Sequence, residues 1–303
     1  MEEGRPDRTT ILSAVMRASH LLLDGEPRIF SDPFALVLSG LADEDALARG
    51  LDKFVATLTA DAGAECAQAT FKYLRAGMTM RSRYTEDELS HAMQRGIAQY
   101  VILGAGLDSF AYRRRDLSGL LRVFEVDLPG SQRWKRARLR ALNMSEPDGL
   151  VFVPLDFERQ ALVDSLNAAG YRPEEPAFFS WLGTTQYLTA DAVFKTLKEI
   201  VSLAPGSEIV FTYQVPEHSL GTRDRQVLKV LSARAAASGA PWLTSFDPLT
   251  LAARLKTLGF SEAVDFGPDQ ARTHYFADRT DGLSTPSLSH LMKARVGGTS
   301  EPR

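Results

Sequence analysis

Apolar positions fall into two regimes along this chain, and the period changes near residue 96. Before that point the pattern is helical. Ile11, Leu12, Val15, Met16, Leu22 and Leu23 fall largely on one helical face. Asp32 followed by Pro33 has the chemistry of a helix cap and first turn. Further helices are predicted over 65–80 and 84–95, the second stopping near Gly96. Beyond it come short continuous apolar runs at 100–103, 122–126, 150–155, 177–182 and 208–213, separated by helical or polar stretches. Short buried strands alternating with helices signify βαβ units and a mostly parallel sheet. Thr189 caps a helix predicted over 189–203, which stops at Pro205-Gly206. Two further strands, at 262–266 and 272–277, are expected to form a terminal antiparallel hairpin.

The expected architecture is α/β, with a sheet of about seven strands. Residues 1–95 form an N-terminal helical segment, and 96–303 an α/β domain. An insert over 215–260 interrupts that domain with a helix near 219–238 and another from Asp247-Pro248 to Gly259. The polar ends, 1–8 and 297–303, are expected to fray. In such sheets ligands bind beyond the carboxyl ends of the strands. Both helical additions are expected to fold over that edge as a lid.

Composition narrows the function classes. The 303 residues carry 35 Lys and Arg against 38 Asp and Glu, a net charge of −3. Bulk charge therefore does not suit a protein that coats nucleic acid or anionic membrane. The basic helix at 133–140 reads as a solvated face. The single cysteine, Cys66, makes no internal disulfide and builds no Cys-rich metal site. No metal-ligand cluster is evident, no apolar run spans a bilayer, and a cytoplasmic location is expected.

The chemistry gathers at strand ends. Gly104, Ala105 and Gly106 follow the first strand directly, and glycines there let a ligand lie against bare backbone. Glu125 and Asp127 lie 21 and 23 residues beyond Gly104, where an acidic side chain takes the ribose hydroxyls of a nucleoside. Period-2 alternation puts both on one side, with Asp127 nearer the tip. Asp156 and Phe157 follow the third strand, where they either frame an adenine ring or cap the next helix. A dinucleotide fingerprint wants a third glycine, but the sixth position is Ser109. Asp108 repels a pyrophosphate and favours a cationic ligand, such as the sulfonium and ammonium of S-adenosylmethionine. That ligand's carboxylate then needs a cation, for which Arg81 and Arg83 are the candidates.

Residues 75–190 resemble the leucine carboxyl methyltransferase-like branch of class I S-adenosylmethionine-dependent methyltransferases. The resemblance rests on RSRYTEDEL (81–89), VILGAGLDSFAYRR (101–114), VFEVDLP (123–129), WKRARL (134–139), VPLDFE (153–158) and WLGTTQYLT (181–189), and SDPFA (31–35) extends it. It implies a Rossmann-like fold with the methionyl carboxylate near Arg81, the methionyl and ribose along Gly104 and Gly106, ribose hydroxyls on Asp127, and adenine between Asp156 and Phe157. Where the family often carries Trp-Glu-Gly after the fourth strand, this chain has Trp181-Leu182-Gly183. Leu182 accepts no hydrogen bond, which sets the chain apart from the phosphatase-modifying members. It looks closer to bacterial members linked to small-molecule O-methylation.

The implied activity is methyl transfer to a carboxylate or hydroxyl of a small molecule, natural products included. Thr184, Thr185, Gln186 and Tyr187 are expected to line the acceptor pocket, with Tyr213 and Gln214 at the fifth strand's tip. A carboxylate acceptor needs no base, whereas a hydroxyl does, and His218 in the insert is the candidate among five histidines. The competing readings are an NAD-dependent oxidoreductase and a cofactor-binding protein without catalysis.

Overall fold

The computed structural model describes residues 8–285 and 287–298. The expected fraying of 1–7 and 299–303 lies outside the described residues. At the near ends the chain is ordered: Arg8 already opens a helix and Gly297 bonds to the Gly259 carbonyl.

Four helices precede the sheet: α1 (Arg8–Leu23), α2 (Ala35–Ser39), α3 (Glu44–Ala62) and α4 (Ala64–Gln94). The sheet region runs β1 (Gln99–Leu103), α5 (Phe110–Arg113), β2 (Arg122–Asp127), α6 (Pro129–Ala141), β3 (Leu150–Pro154), α7 (Leu162–Ala168), β4 (Phe178–Trp181), α8 (Ala190–Val201) and β5 (Glu208–Gln214). It ends with α9 (Thr222–Ala237), α10 (Pro248–Leu258), β6 (Phe260–Phe266), α11 (Pro268–Ala271) and β7 (Ser289–Val296). No described helix is long and apolar enough to cross a membrane.

The strand order is β3-β2-β1-β4-β5-β7-β6. Pairs among β1 to β5 are parallel, and β7 runs antiparallel to both its neighbours. Alternate residues of β1 enter two separate cores. Val101 and Leu103 join α7, α8 and the insert helices, whereas Tyr100 and Ile102 join α5, α6 and the second half of α4. A strand buried on both faces loses the polar alternation of a one-sided sheet, hence its continuous apolar run.

Local chemistry accounts for several boundaries. Asp43, Thr189 and Asp247 each accept a backbone N–H of the first helical turn, at Ala46, Ala192 and Thr250. Asp32 accepts the Phe34 N–H ahead of α2 while its other oxygen receives Arg17 at 2.8 Å. Burial pushes the Asp32 carboxyl up, but Arg17 and Arg113 outweigh it and hold the group below the usual range.

Two expectations are corrected. The helices predicted over 65–80 and 84–95 are one continuous helix, α4, so Arg81 and Arg83 sit inside it. The polar MRSRY stretch does not break it, because Arg and Ser are tolerated in helix interiors. Residues 272–277 form no strand: 272–276 continue α11 as a π-helical turn. Ala271 at the end of α11 and Phe276 are buried five residues apart, the i to i+5 repeat of a π-helical turn and not the period of two of a strand. The seventh strand comes later, over Ser289–Val296, and inserts between β5 and β6.

Candidate cofactor and acceptor site

A large cavity of about 980 Å³ opens along the carboxyl edge of the sheet. Its walls come from α1, α4, the turns after β1, β2, β3 and β4, the end of β5, the insert, and the start of β7. A typical small-molecule pocket spans about 300–1,000 Å³, so this one has room for two ligands side by side.

One end is built on the turn after β1. The Gly104 and Ala105 N–H groups bond the Val126 carbonyl, lashing the turn to β2. Gly104 (φ +67°) and Gly106 (φ +49°) are left-handed, and a Cβ at either would strike Thr184 Oγ1 at 2.6 Å or Thr10 Cγ2 at 2.9 Å. Asp127 at the tip of β2 accepts the Gly106 N–H on one oxygen and the Leu128 N–H on the other, which fixes its carboxylate at the cavity wall. Asp108 also lines the cavity and accepts the Phe110 N–H. Asp156 and Phe157 are both on the wall. Asp156 caps its own turn by accepting the Glu158 N–H, and Phe157 lies 5.9 Å from the Trp181 ring.

Helix α1 roofs this end. Arg17 donates to the Leu107 carbonyl at 2.7 Å, and Ser13 accepts from Arg81 at 3.0 Å. Arg81 projects from α4 into the cavity wall, pressed against Gly183, where a Cβ would fall 2.5 Å from Nη1. Among the described residues no carboxylate pairs with it. Burial, with the Arg17 charge nearby, pushes its pKa down to about 10. An unpaired guanidinium held in a wall of bare glycine backbone is costly to keep and suits an anionic ligand group.

Several expected site residues lie elsewhere. Arg83 points away from the cavity, pairing with Asp87 at 2.8 Å on an exposed face. Glu125 is two residues deeper than Asp127 and fully buried, 2.5 Å from Lys135 of α6. Burial pushes its pKa up to about 7, against the pull of Lys135. Glu125 and Asp127 share a strand face, as the alternation requires, but only Asp127 at the tip reaches ligand space. Thr185 turns inward to donate to the Thr212 carbonyl, and Tyr213 donates to Asp265; neither lines the cavity. His218 is exposed in a turn at 217–219 and is likewise off the wall. Thr184, Gln186, Tyr187, Leu182 and Gln214 do line it.

The structure adds residues with no assigned role in the sequence. Leu128, large and 45 % exposed, stands beside Asp127 on the wall. Arg17 and Ser13 come from α1, Tyr73 from α4, Trp242 from the insert and His290 from β7. Leu128 had a readable signal, an apolar residue directly after the strand-tip acid. His290 had none once its strand was placed at 272–277.

A mostly parallel seven-stranded sheet in this order, with an antiparallel seventh strand and a glycine turn facing a strand-tip aspartate, is the α/β methyltransferase fold. Residues 10–201 match the leucine carboxyl methyltransferase family, and the chain belongs to that family. It is 30% identical over 305 residues to YktD of Bacillus subtilis (strain 168), covering 97% of this chain and 99% of that one. It is 30% identical over 265 residues to FRAAL3718 of Frankia alni, covering 87% and 83%. Both carry provisional names as S-adenosyl-L-methionine-dependent methyltransferases. Among solved structures, a DUF574 family protein from Streptomyces avermitilis superposes with a TM-score of 0.60 at 15% identity, over 97% of this chain and 99% of that one. A protein from Thermobifida fusca, described provisionally as a methyltransferase, gives 0.55 at 17%, over 98% and 97%. The chain is thus an S-adenosylmethionine-dependent methyltransferase.

Proposed function

We propose that the enzyme transfers a methyl group to an oxygen atom of a small-molecule acceptor held in the same cavity as the cofactor. The observation that carries this reading is the continuity of the cavity. Its glycine-turn end fits a nucleoside cofactor, and the same wall continues past Arg81 through Tyr73 and Tyr187 to Leu231 and Trp242, apolar and aromatic side chains that suit an acceptor. When bound, S-adenosylmethionine supplies an electrophilic methyl on a positive sulfur. The chain's own work is to hold and exclude. Arg81 grips the carboxylate, Gly104 and Gly106 let the chain approach, Asp127 accepts from the ribose hydroxyls, and Phe157 with Leu128 flanks the base. Leu182 stands where other family members carry a glutamate, so the ammonium finds its partners in backbone or water rather than in that side chain. Helix α1 above the glycine turn and α9 from the insert shut out water, leaving the acceptor oxygen to be positioned by the far wall.

The acceptor is read as a free small molecule, with neither nucleic acid nor membrane as partner, and the site of action as the cytoplasm. The net charge of −3 and the lone cysteine support this. Calorimetric titration with S-adenosylmethionine, S-adenosylhomocysteine and NAD tests the cofactor end. One-site binding of the first two without NAD is expected, and binding of NAD alone would overturn the reading. Tritiated methyl transfer to small acceptors, followed by alkaline treatment, tests the chemistry: esters release methanol and ethers do not. Label on nitrogen or carbon would refute oxygen as the acceptor atom.

A further inference from the structure

We propose that the acceptor group is a neutral hydroxyl, phenolic or alcoholic, and that His290 is the catalytic base that takes its proton. This rests on the reading of the cavity as a cofactor and acceptor site.

Three observations carry it. First, His290 opens β7 beside the tip of β5, and its ring is on the cavity wall with its side chain 12% exposed. Second, its two nitrogens are inequivalent. Nδ1 lies 3.0 and 3.1 Å from the two Asp265 oxygens, and the Tyr213 hydroxyl donates to the same carboxylate. Among the described residues Nε2 has no partner. A carboxylate on Nδ1 fixes the tautomer with the proton there and leaves Nε2 as a lone pair, the arrangement a general base needs. Gly267 packs against the Nδ1 side of the ring, where a Cβ would fall 2.8 Å from Cε1, so the ring is clamped between β5 and β6. Third, among the described residues the cavity wall has no buried cation to spare for an acceptor carboxylate. Of the wall's cations, Arg17 is committed to Asp32, Arg234 pairs with Asp61 near the surface, Arg8 is exposed, and Arg81 belongs to the cofactor end. Instead the neighbouring strand end offers Gln214, itself 8% exposed, whose buried Oε1 has no hydrogen-bond partner. An unpartnered amide oxygen and an imidazole lone pair on one cavity wall are both acceptors, which suits a group with a proton to donate, such as a hydroxyl, and disfavours a carboxylate.

In the step so drawn, the acceptor O–H proton passes to Nε2. The oxygen lone pair forms the new O–C bond to the methyl, and the methyl–sulfur bond breaks with its electrons left on sulfur. The imidazolium then returns its proton to solvent. Asp265 is a positioning residue that stabilises the imidazolium. The titratable groups around the ring are Asp265 and Tyr213, with Tyr84 of α4 beyond Asp265 and close to Glu88 and Glu262.

The test uses the full chain, with His290→Gln and Asp265→Asn as separate variants whose thermal unfolding is first compared with wild type. Methyl transfer is measured against matched panels of phenols, alcohols and carboxylic acids, alongside S-adenosylmethionine binding. Wild type is expected to label hydroxyls as alkali-stable ethers. His290→Gln should lower kcat about 10²–10⁴-fold with cofactor affinity unchanged, and abolish the acid limb of the pH profile. Asp265→Asn should keep that limb but move it. A readout independent of turnover is the phenolate absorbance of 4-nitrophenol bound beside S-adenosylhomocysteine. It should be enhanced in wild type and lost in His290→Gln. Label confined to carboxylic acids, no hydroxyl labelled while the cofactor binds, or His290→Gln within threefold of wild type would each overturn the inference. Failure to bind the cofactor at all would instead overturn the reading beneath it, and this inference with it.

Discussion

Replacing Arg81 with methionine should weaken the cofactor and at the same time leave the fold as stable or more so. The guanidinium's pKa falls well below its ordinary value, to about 10, chiefly through burial. A drop of that size corresponds to about 3 kcal/mol against the charged form. The group borders the cavity and keeps one bond to Ser13 at 3.0 Å, so the recoverable part is about 1–2 kcal/mol at most. Methionine retains the packing of the aliphatic stem without the charge. On the binding side, a charge-assisted pair to a carboxylate is worth about 1.5–3 kcal/mol, or roughly 10–150-fold in Kd. The assay is calorimetry with two ligands, S-adenosylhomocysteine and 5′-methylthioadenosine, which lacks the amino-acid end. The variant should lose affinity for the first and keep it for the second, with Tm unchanged or raised by about 2–4 °C per kcal/mol. Equal losses for both ligands would refute the assignment of Arg81 to the carboxylate. A clear fall in Tm would show the guanidinium to be structural.

Three other perturbations have definite directions. Gly104→Ala adds a Cβ at φ +67° and 2.6 Å from Thr184 Oγ1, so it should cost about 1–2 kcal/mol and abolish cofactor binding in the same calorimetric titration. Adding Thr184→Ala should relieve only the steric part. Lys135→Met strands the Glu125 carboxylate, which already sits near 7 through burial, and should cost about 3–5 kcal/mol at pH 8 by denaturant unfolding. A carboxyl raised by folding is most favourable when protonated, so this variant should be relatively better at pH 5 and lose stability as pH rises. Asp32→Asn removes a carboxylate held below its usual range by Arg17 and Arg113 after burial has raised it. Stability from such a group is present above pH 3.8 and lost as pH falls through its folded value, so the variant should unfold more easily at neutral pH but show a flatter acid limb.

The parallel half of the sheet was legible because its strands are buried on both faces. A continuous apolar run as short as 100–103, bounded by glycines, suits a sheet interior far better than a helix. The glycine turn and Asp127 were legible because a left-handed turn and a strand-tip acid each leave a residue-type signature. The segment at 272–277 misled because its aromatic and polar residues suit a strand over so short a window. The actual fold continues the turn opened by Pro268, whose Gly267 N–H is capped by Gln270. Placing the seventh strand there hid His290, whose role depends on lying next to Tyr213 across β5 and β7. His218 fell near the end of β5 in sequence, yet its turn leads outward. Glu125 and Arg83 show the same limit: period fixes which face a side chain takes, while depth along the strand and the partner on the next helix decide whether it meets ligand.

The family match ends at residue 201, the last residue of α8. Arg81, Gly104, Asp127 and Phe157 precede that point, whereas Gln214, Leu231, Trp242 and His290 follow it. The residues assigned to the methyl donor therefore all lie before that point, whereas the proposed acceptor wall is drawn from both sides of it, with Tyr73 and Tyr187 before and Leu231, Trp242 and His290 after. Exchanging the stretch after residue 201 between relatives should shift choice of recipient while the donor machinery stays intact, and full transfer of that choice should need Tyr73 and Tyr187 as well. Diversification of such enzymes then needs no compromise in the part that holds the methyl source.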